Sequence, residues 1–376
     1  MTNDRILHVG APNLGDRELF DKLVDEIFER RWFTNSGQVE KEFEAKLCKF
    51  LGVKHCIPVC NATIGLQLAC HALGLTGEVI VPAFTFVATP HAVQWAGAKP
   101  VFADVDLDTH TICPESVESL ITKDTSAIVG VHVWGQHCDT DALDRIASKH
   151  NLKVMYDAAH AFACSQNGTM IGNFGQCEVF SFHATKFFNT FEGGAISTND
   201  DALAEKIRQM KNFGFSAPGR VAHLGTNAKM SEISAAMGLS VFERLDQILA
   251  HNQTNYLLYR KLLDSIDGVC VFNYDHLTDS NWQYIVLEVD ENQFGMSRDQ
   301  LHEQLNSKNV RARKYFHPGC HEMDPYSSRC GFVDGQLSRT EALCKRVLCL
   351  PTGTAVSTSD VERVCETIKN AIEAEA

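Results

Sequence analysis

Between residues 55 and 198 the chain alternates between two textures. Short apolar runs lie at HCIPVC (55–60), EVIVPA (78–83), PVFADV (100–105), AIVGVHVWG (127–135), KVMYDA (153–158), CEVFSF (177–182) and GGAIST (193–198). Helical spacing fills most of the gaps, at 63–74, 86–97, 114–121 and 140–150. The runs are rich in Val, Ile and Phe and are mostly apolar on both parities. That pattern predicts strands covered on both faces, as in a largely parallel sheet. Strand and helix in alternation predict an α/β fold. Ahead of this block, 15–31 and 37–50 read as amphipathic helices.

The texture changes near residue 230. A long helical pattern covers 230–264, strand-like pieces follow at 269–272 and 284–289, and helices near 298–307 and 358–374 flank a strand-and-loop region around ARKYFHPG. The expected division is a large α/β domain over 1–230. A connecting helix and a smaller C-terminal α+β domain then occupy 231–376. No repeat or Pro/Ser-rich linker separates them, so tight packing is expected.

Charge narrows the range of functions. The 376 residues carry 34 Lys+Arg against 47 Asp+Glu, a net charge of −13. That balance argues against a nucleic-acid surface or an affinity for anionic membranes. A small anion in a locally basic pocket stays compatible. Among the 14 cysteines no pair has C-x2-C spacing, so no zinc or other metal site is expected. The start, MTNDRILHVG, lacks a signal peptide's basic and apolar regions, and no apolar run reaches the roughly 18 residues of a membrane span. A soluble, cytoplasmic protein with reduced thiols is the expectation.

Three pieces suggest chemistry. Asn61-Ala62-Thr63-Ile64-Gly65 follows a strand and opens a helix, which offers free N–H groups to an anion or is a simple cap. Neither G-x-G-x-x-G nor G-x4-G-K-[ST] occurs, so dinucleotide and P-loop sites are unsupported. Asp157 ends an apolar strand, where open α/β sheets bind ligands. It needs a cation or hydrogen-bond donor there, with metal ligation or capping as competing readings, and His160 three residues on shares them. Lys186 lies beside Phe187 and Phe188 past another strand end. Burial there would make its amine a nucleophile, whereas a snorkelling stem would leave it an ordinary ammonium. A phosphate-ready helix start, an acid and a lysine together match the needs of pyridoxal phosphate.

Longer motifs extend this. FTNSGQVEKEFE (33–44), VPAFTFVATPHAV (81–93), DVD (104–106), DAAHA (157–161), SFHATK (181–186) with EGGAI (192–196), LGTNAKMSEISAAMG (224–238) and YFHPG (315–319) occur in this order. The chain resembles, over nearly its whole length, the DegT/DnrJ/EryC1/StrS sugar aminotransferases. These belong to fold type I of the pyridoxal-phosphate enzymes, the aspartate aminotransferase-like fold with a large mixed, mostly parallel sheet. The resemblance implies that Lys186 is the Schiff-base lysine, Asp157 the partner of the ring nitrogen and His160 a neighbour of the ring hydroxyl. It implies that Phe84 stacks on the ring and that Thr63, Ile64 and Ser181 hold the phosphate. Asn227 would reach a neighbouring subunit's phosphate site, which implies a homodimer. Two departures stand out: Ala62 replaces a commoner glycine, and Lys229 stands where arginine is frequent.

The implied reaction moves an amine from L-glutamate to a nucleotide-linked keto sugar, as in surface polysaccharide and O-antigen biosynthesis. Lysine at 186 favours aminotransfer over the related dehydratases, which carry histidine there. FHATKFFNTFEGGAI resembles members that aminate C4 of dTDP-4-keto-6-deoxy-D-glucose, giving dTDP-4-amino-4,6-dideoxy-D-glucose, with His183 near the sugar. Amination at C3 or of a UDP-sugar is the alternative. A pyridoxal-phosphate lyase and a catalytically silent regulatory protein are further readings. Arg220, Lys229, Arg311 and Arg313 are candidates for the substrate pyrophosphate, each competing with an ordinary solvated charge.

Overall fold

The computed structural model describes residues 5–274, 280–329 and 335–373. Seven strands form one sheet, in the spatial order His55–Val59, Gly194–Thr198, Cys177–Ser181, Lys153–Asp157, Thr125–Val131, Glu78–Pro82 and Lys99–Ala103. Gly194–Thr198 runs antiparallel to both its neighbours, and the other six share one direction.

The apolar parities explain the layers. Val79 and Val81 face one way, into a core with Leu66 and Ala69 of helix Ala62–Leu73. Ile80 faces the other way, with Ile128, Val154 and Leu143 of helix Thr140–His150. Both sets are essentially inaccessible to water, so a strand apolar on every residue is what this sandwich requires. Helices Arg17–Arg30, Gln38–Leu51 and Glu232–Phe242 enclose a phenylalanine-rich third core containing Phe43, Phe162, Phe182 and Phe188.

The C-terminal part is built on a three-stranded antiparallel sheet ordered Val269–Val271, Ile285–Val289, Val347–Leu350. Helices Leu245–Leu263, Arg298–Ser307 and Thr358–Glu373 pack on it. Several features depart from expectation. The helical pattern over 230–264 is two helices, broken at Glu243–Arg244 where Arg244 leaves helical geometry (φ −110°, ψ 2°). Helix Asp201–Met210, capped by Asp200, and strand Val347–Leu350 are not foreseen. Leu7–His8 crosses the expected boundary at 230 to pair in parallel with Val310–Arg311. Position 374 of the expected last helix lies outside the described residues. Among the described residues no helix is long and apolar enough to cross a membrane.

Candidate active site

A cavity of about 550 Å³ opens at the C-terminal ends of the parallel strands. Its wall contains Thr63, Ile64, Asp157, His160, Ser181 and Lys186, six of the eight residues expected to bind the cofactor, and His183 as well.

The chain reaches this edge by short, defined devices. Asn61 is the N-cap of helix Ala62–Leu73, its side chain accepting the Ile64 N–H at 2.9 Å. The Ile64 amide is therefore already engaged. The Ala62 and Thr63 amides, in the first helical turn, have no intrahelical acceptor and are the donors left for an anion. Gly194 lets this turn approach the sheet: a Cβ there would lie 2.8 Å from the Ala62 nitrogen and 2.6 Å from the Phe180 carbonyl oxygen. That accounts for a glycine in EGGAI.

Asp157 is buried, and its carboxylate accepts from Thr89 Oγ1 at 2.7 Å and from the Ala159 N–H at 3.0 Å. Thr85 Oγ1 lies 3.1 Å from Thr89 Oγ1. Since Thr89 gives its proton to the carboxylate, Thr85 is the donor in that pair. Burial raises the Asp157 pKa, opposed by these hydrogen bonds and by Lys186.

His160 is also buried. Trp134 N–H donates to its Nδ1 at 3.2 Å, and its ring lies nearly parallel to those of Trp134 and Phe316, with centroids 5.9 and 6.0 Å away. Burial first, then Lys186, pushes its pKa well below the usual range. With Nδ1 accepting, the assigned tautomer of the neutral ring carries its proton on Nε2.

Lys186 is carried by a turn in which its own N–H donates to the His183 carbonyl at 2.8 Å. Phe187 and Phe188 anchor that turn in the core, while Lys186 faces the cavity. Its amine donates to Tyr284 Oη at 3.3 Å. Desolvation pulls its pKa down to about 8, against an upward pull from Asp157. The amine is thus partly neutral near physiological pH, as a nucleophile or base must be.

The remaining expected residues are placed differently. Phe84 is not in the cavity wall. It is buried edge-on against Trp134 and Phe316, in the core of the C-terminal part. The aromatic residue that does line the cavity is Phe86, which is 57% exposed. Both follow the same strand, but the Ala83 carbonyl accepts from Cys320 N–H at 2.9 Å, and the chain turns Phe84 inward there. Asn227 is exposed and outside this wall, with its Oδ1 2.6 Å from Lys229 Nζ. Lys229 lies over the Phe213 ring, Arg220 is on an exposed hairpin, Arg311 meets Asn306 and Arg313 is exposed. None of these four cations lines the cavity, and no arginine is among its described lining residues. Tyr284, Tyr315 and Phe316 do line it. Tyr315 and Phe316 fall within the motif YFHPG, whereas Tyr284 carries no local signal.

Comparisons with known proteins give the family. The family model described as the DegT/DnrJ/EryC1/StrS aminotransferase family matches residues 15–369. The dTDP-4-amino-4,6-dideoxy-D-glucose transaminase of Shigella dysenteriae is 39% identical, over 97% of this chain and 99% of its own. GDP-perosamine synthase of Caulobacter vibrioides is 35% identical, over 95% and 96%. The solved structure of DesI, studied in the presence of its TDP-sugar product, superposes with a TM-score of 0.94 at 45% identity, over 99% of this chain and 95% of its own. The strand-end cavity with its half-buried lysine, buried acid and capped helix therefore sits in a chain that belongs to the DegT/DnrJ/EryC1/StrS aminotransferase family.

Proposed function

We propose that this chain transfers the amino group of L-glutamate to the 4-keto carbon of dTDP-4-keto-6-deoxy-D-glucose. The product is dTDP-4-amino-4,6-dideoxy-D-glucose, used for surface polysaccharide or other glycans such as O-antigen, and made in the cytoplasm. The observation that carries the reading is the convergence of Lys186 and Asp157 in one cavity beside the Asn61-capped helix start. The names of the Shigella relative and of DesI's TDP-sugar support the nucleotide and the carbon.

Pyridoxal phosphate fits the donor set. Asp157 is a buried carboxylate whose raised pKa is relieved by a cationic partner, and the Ala62 and Thr63 amides await an anion. Lys186 would hold the aldehyde end, Asp157 the ring nitrogen and His160 the ring hydroxyl. Thr63 and Ser181 would hold the phosphate through their hydroxyls, together with the Ala62 and Thr63 amides, while the Ile64 amide stays with Asn61. Phe86, rather than Phe84, would cover the ring. Bound there, the cofactor supplies an aldehyde that bonds to amines and a ring that takes up electrons when the donor's Cα loses its proton. Lys186 is the base that removes this proton and later delivers one to the sugar's C4. Asp157 keeps a positive ring nitrogen neutralised, and His183 at the mouth meets the sugar.

The reading includes a homodimer. Asn227 of the partner subunit would complete the phosphate site. Phe213, Phe215, Val221 and Leu224 form an exposed apolar stretch around Asn227 and Arg220 that a second copy would cover. Cations for the sugar diphosphate then come from this shared face, where Arg220 and Lys229 are the candidates. Arg313 would play that part only if the partner's surface extends to it.

A GDP-linked 4-keto sugar is the second reading, favoured by the GDP-perosamine synthase relative. The test is incubation with pyridoxal phosphate, glutamate and a panel of dTDP-, GDP- and UDP-linked keto sugars, read by mass and NMR. Amination of the dTDP 4-keto sugar at C4 is expected. Reaction only with 3-keto sugars, or product release without any acceptor, would overturn the proposal.

A further inference from the structure

We infer that Tyr284 is a positioning residue for Lys186: its hydroxyl holds the lysine amine in register with His160 whenever that amine is free. The inference rests on reading Lys186 as the reactive amine.

Tyr284 arrives from the C-terminal part, immediately before strand Ile285–Val289. Its Oη is 3.3 Å from Lys186 Nζ and 3.3 Å from His160 Nε2, and the amine lies 5.7 Å from its ring centroid. Since His160 Nδ1 takes the Trp134 N–H, Nε2 is the donor to Oη. The phenol oxygen then accepts from the imidazole and has one lone pair left, which suits an ammonium. Its own hydrogen can turn to the lone pair of a neutral amine. One hydroxyl therefore accompanies Lys186 in both protonation states. Burial drives the Tyr284 pKa well upward, so the group stays a phenol.

The segment around it is fixed to both loops that carry the chemistry. Asn281 Nδ2 donates to the carbonyls of His160 (2.8 Å) and Phe162 (3.0 Å). Asn281 Oδ1 accepts from Gln283 N–H at 2.9 Å, and Gln283 Oε1 accepts from Phe187 N–H, the residue after Lys186, also at 2.9 Å. Tyr274 Oη donates to the Tyr284 carbonyl at 2.7 Å. Residues 281–284 thus bridge the His160 loop and the Lys186 loop, with the hydroxyl at the junction. A bond to an ammonium is stronger than the same bond to an amine. The hydroxyl therefore keeps Lys186 more basic than burial alone would.

The test compares Tyr284→Phe with Tyr284→Leu and wild type. The apo-protein is labelled with trace acetic anhydride across a pH series, and Lys186 is quantified by peptide mass spectrometry. Wild-type Lys186 should reach half its maximal labelling near pH 8, and Tyr284→Phe at lower pH. In the loaded enzyme, Tyr284→Phe should lose about tenfold or more in kcat with little change in KM for glutamate. The isotope effect from α-deuterated glutamate should rise. Tyr284→Phe should keep the wild-type melting transition and rescue any folding defect of Tyr284→Leu without rescuing kcat. A wild-type labelling curve and isotope effect in Tyr284→Phe would overturn the proposal, as would loss of its native melting transition, which would make the hydroxyl structural. Turnover by Lys186→Ala is a separate outcome: it would refute the role of Lys186 and not that of Tyr284 alone.

Discussion

Lys211 is buried and Lys186 half-buried, and their surroundings differ in kind. Lys211 follows helix Asp201–Met210, with its ammonium 2.7 Å from Glu40 and 3.1 Å from the Pro58 carbonyl. Glu40 in turn accepts the Ser36 N–H at 2.9 Å. That lysine is paired and ties helix Gln38–Leu51 to strand His55–Val59. Lys186 meets a phenol hydroxyl instead and opens on a cavity. The histidines repeat the contrast: His132 is 3.1 Å from the buried carboxylate of Glu178, whereas His160 meets only neutral partners, the Trp134 N–H and the Tyr284 hydroxyl. Burial alone does not mark a reactive group. A charged partner consumes it, and a neutral partner beside empty volume leaves it available.

Lys186→Ala breaks the comparison most sharply. Turnover should fall by roughly 10⁴-fold or more while the melting transition is kept, as measured by steady-state kinetics and calorimetry. Lys211→Met should invert that result. Leaving Glu40 buried without its cation costs about 3–5 kcal/mol in denaturant unfolding, while activity per folded molecule is retained.

The two phenylalanines after strand Glu78–Pro82 extend the contrast. Phe84→Ala should cost about 3–5 kcal/mol of stability, because it empties a packed aromatic site. Phe86→Ala should change stability by no more than about 0.5 kcal/mol and instead weaken retention of pyridoxal phosphate, read by equilibrium dialysis.

A pH effect is smaller and has a defined sign. Lys186 acts as a base only when neutral, so the proton-transfer rate should fall about tenfold per pH unit below about pH 8. Stability runs the same way. Between about pH 8 and the ordinary lysine range the unfolded chain binds more protons at this position, so unfolding free energy rises with pH there. Lys186→Met should remove that slope.

The sequence made the large sheet legible because a strand buried on both faces must be apolar on both parities. All seven expected strands are present, with ends within a few residues. The cavity's first residues were legible for a related reason: Asp157 and Ser181 end strands and Asn61 and Lys186 follow strand ends, places that local pattern defines. Phe84 and Phe86 were not separable in this way, because what distinguishes them is the tertiary packing of Phe84 against Trp134 and Phe316. Tyr284 lies 98 residues beyond Lys186 and reaches it only through the packing of the C-terminal part. The positions of Arg220, Lys229, Arg311 and Arg313 likewise depend on folds of the chain that no local spacing encodes.

The central claim is that Lys186 is the amine that holds pyridoxal phosphate and yields it to the amino donor. Borohydride trapping of the loaded protein, with and without glutamate, followed by peptide mapping, tests it most directly. A single phosphopyridoxyl adduct on Lys186 is expected, and prior incubation with glutamate should abolish it. An adduct on another lysine, or one on Lys186 that glutamate leaves unchanged, would contradict the account.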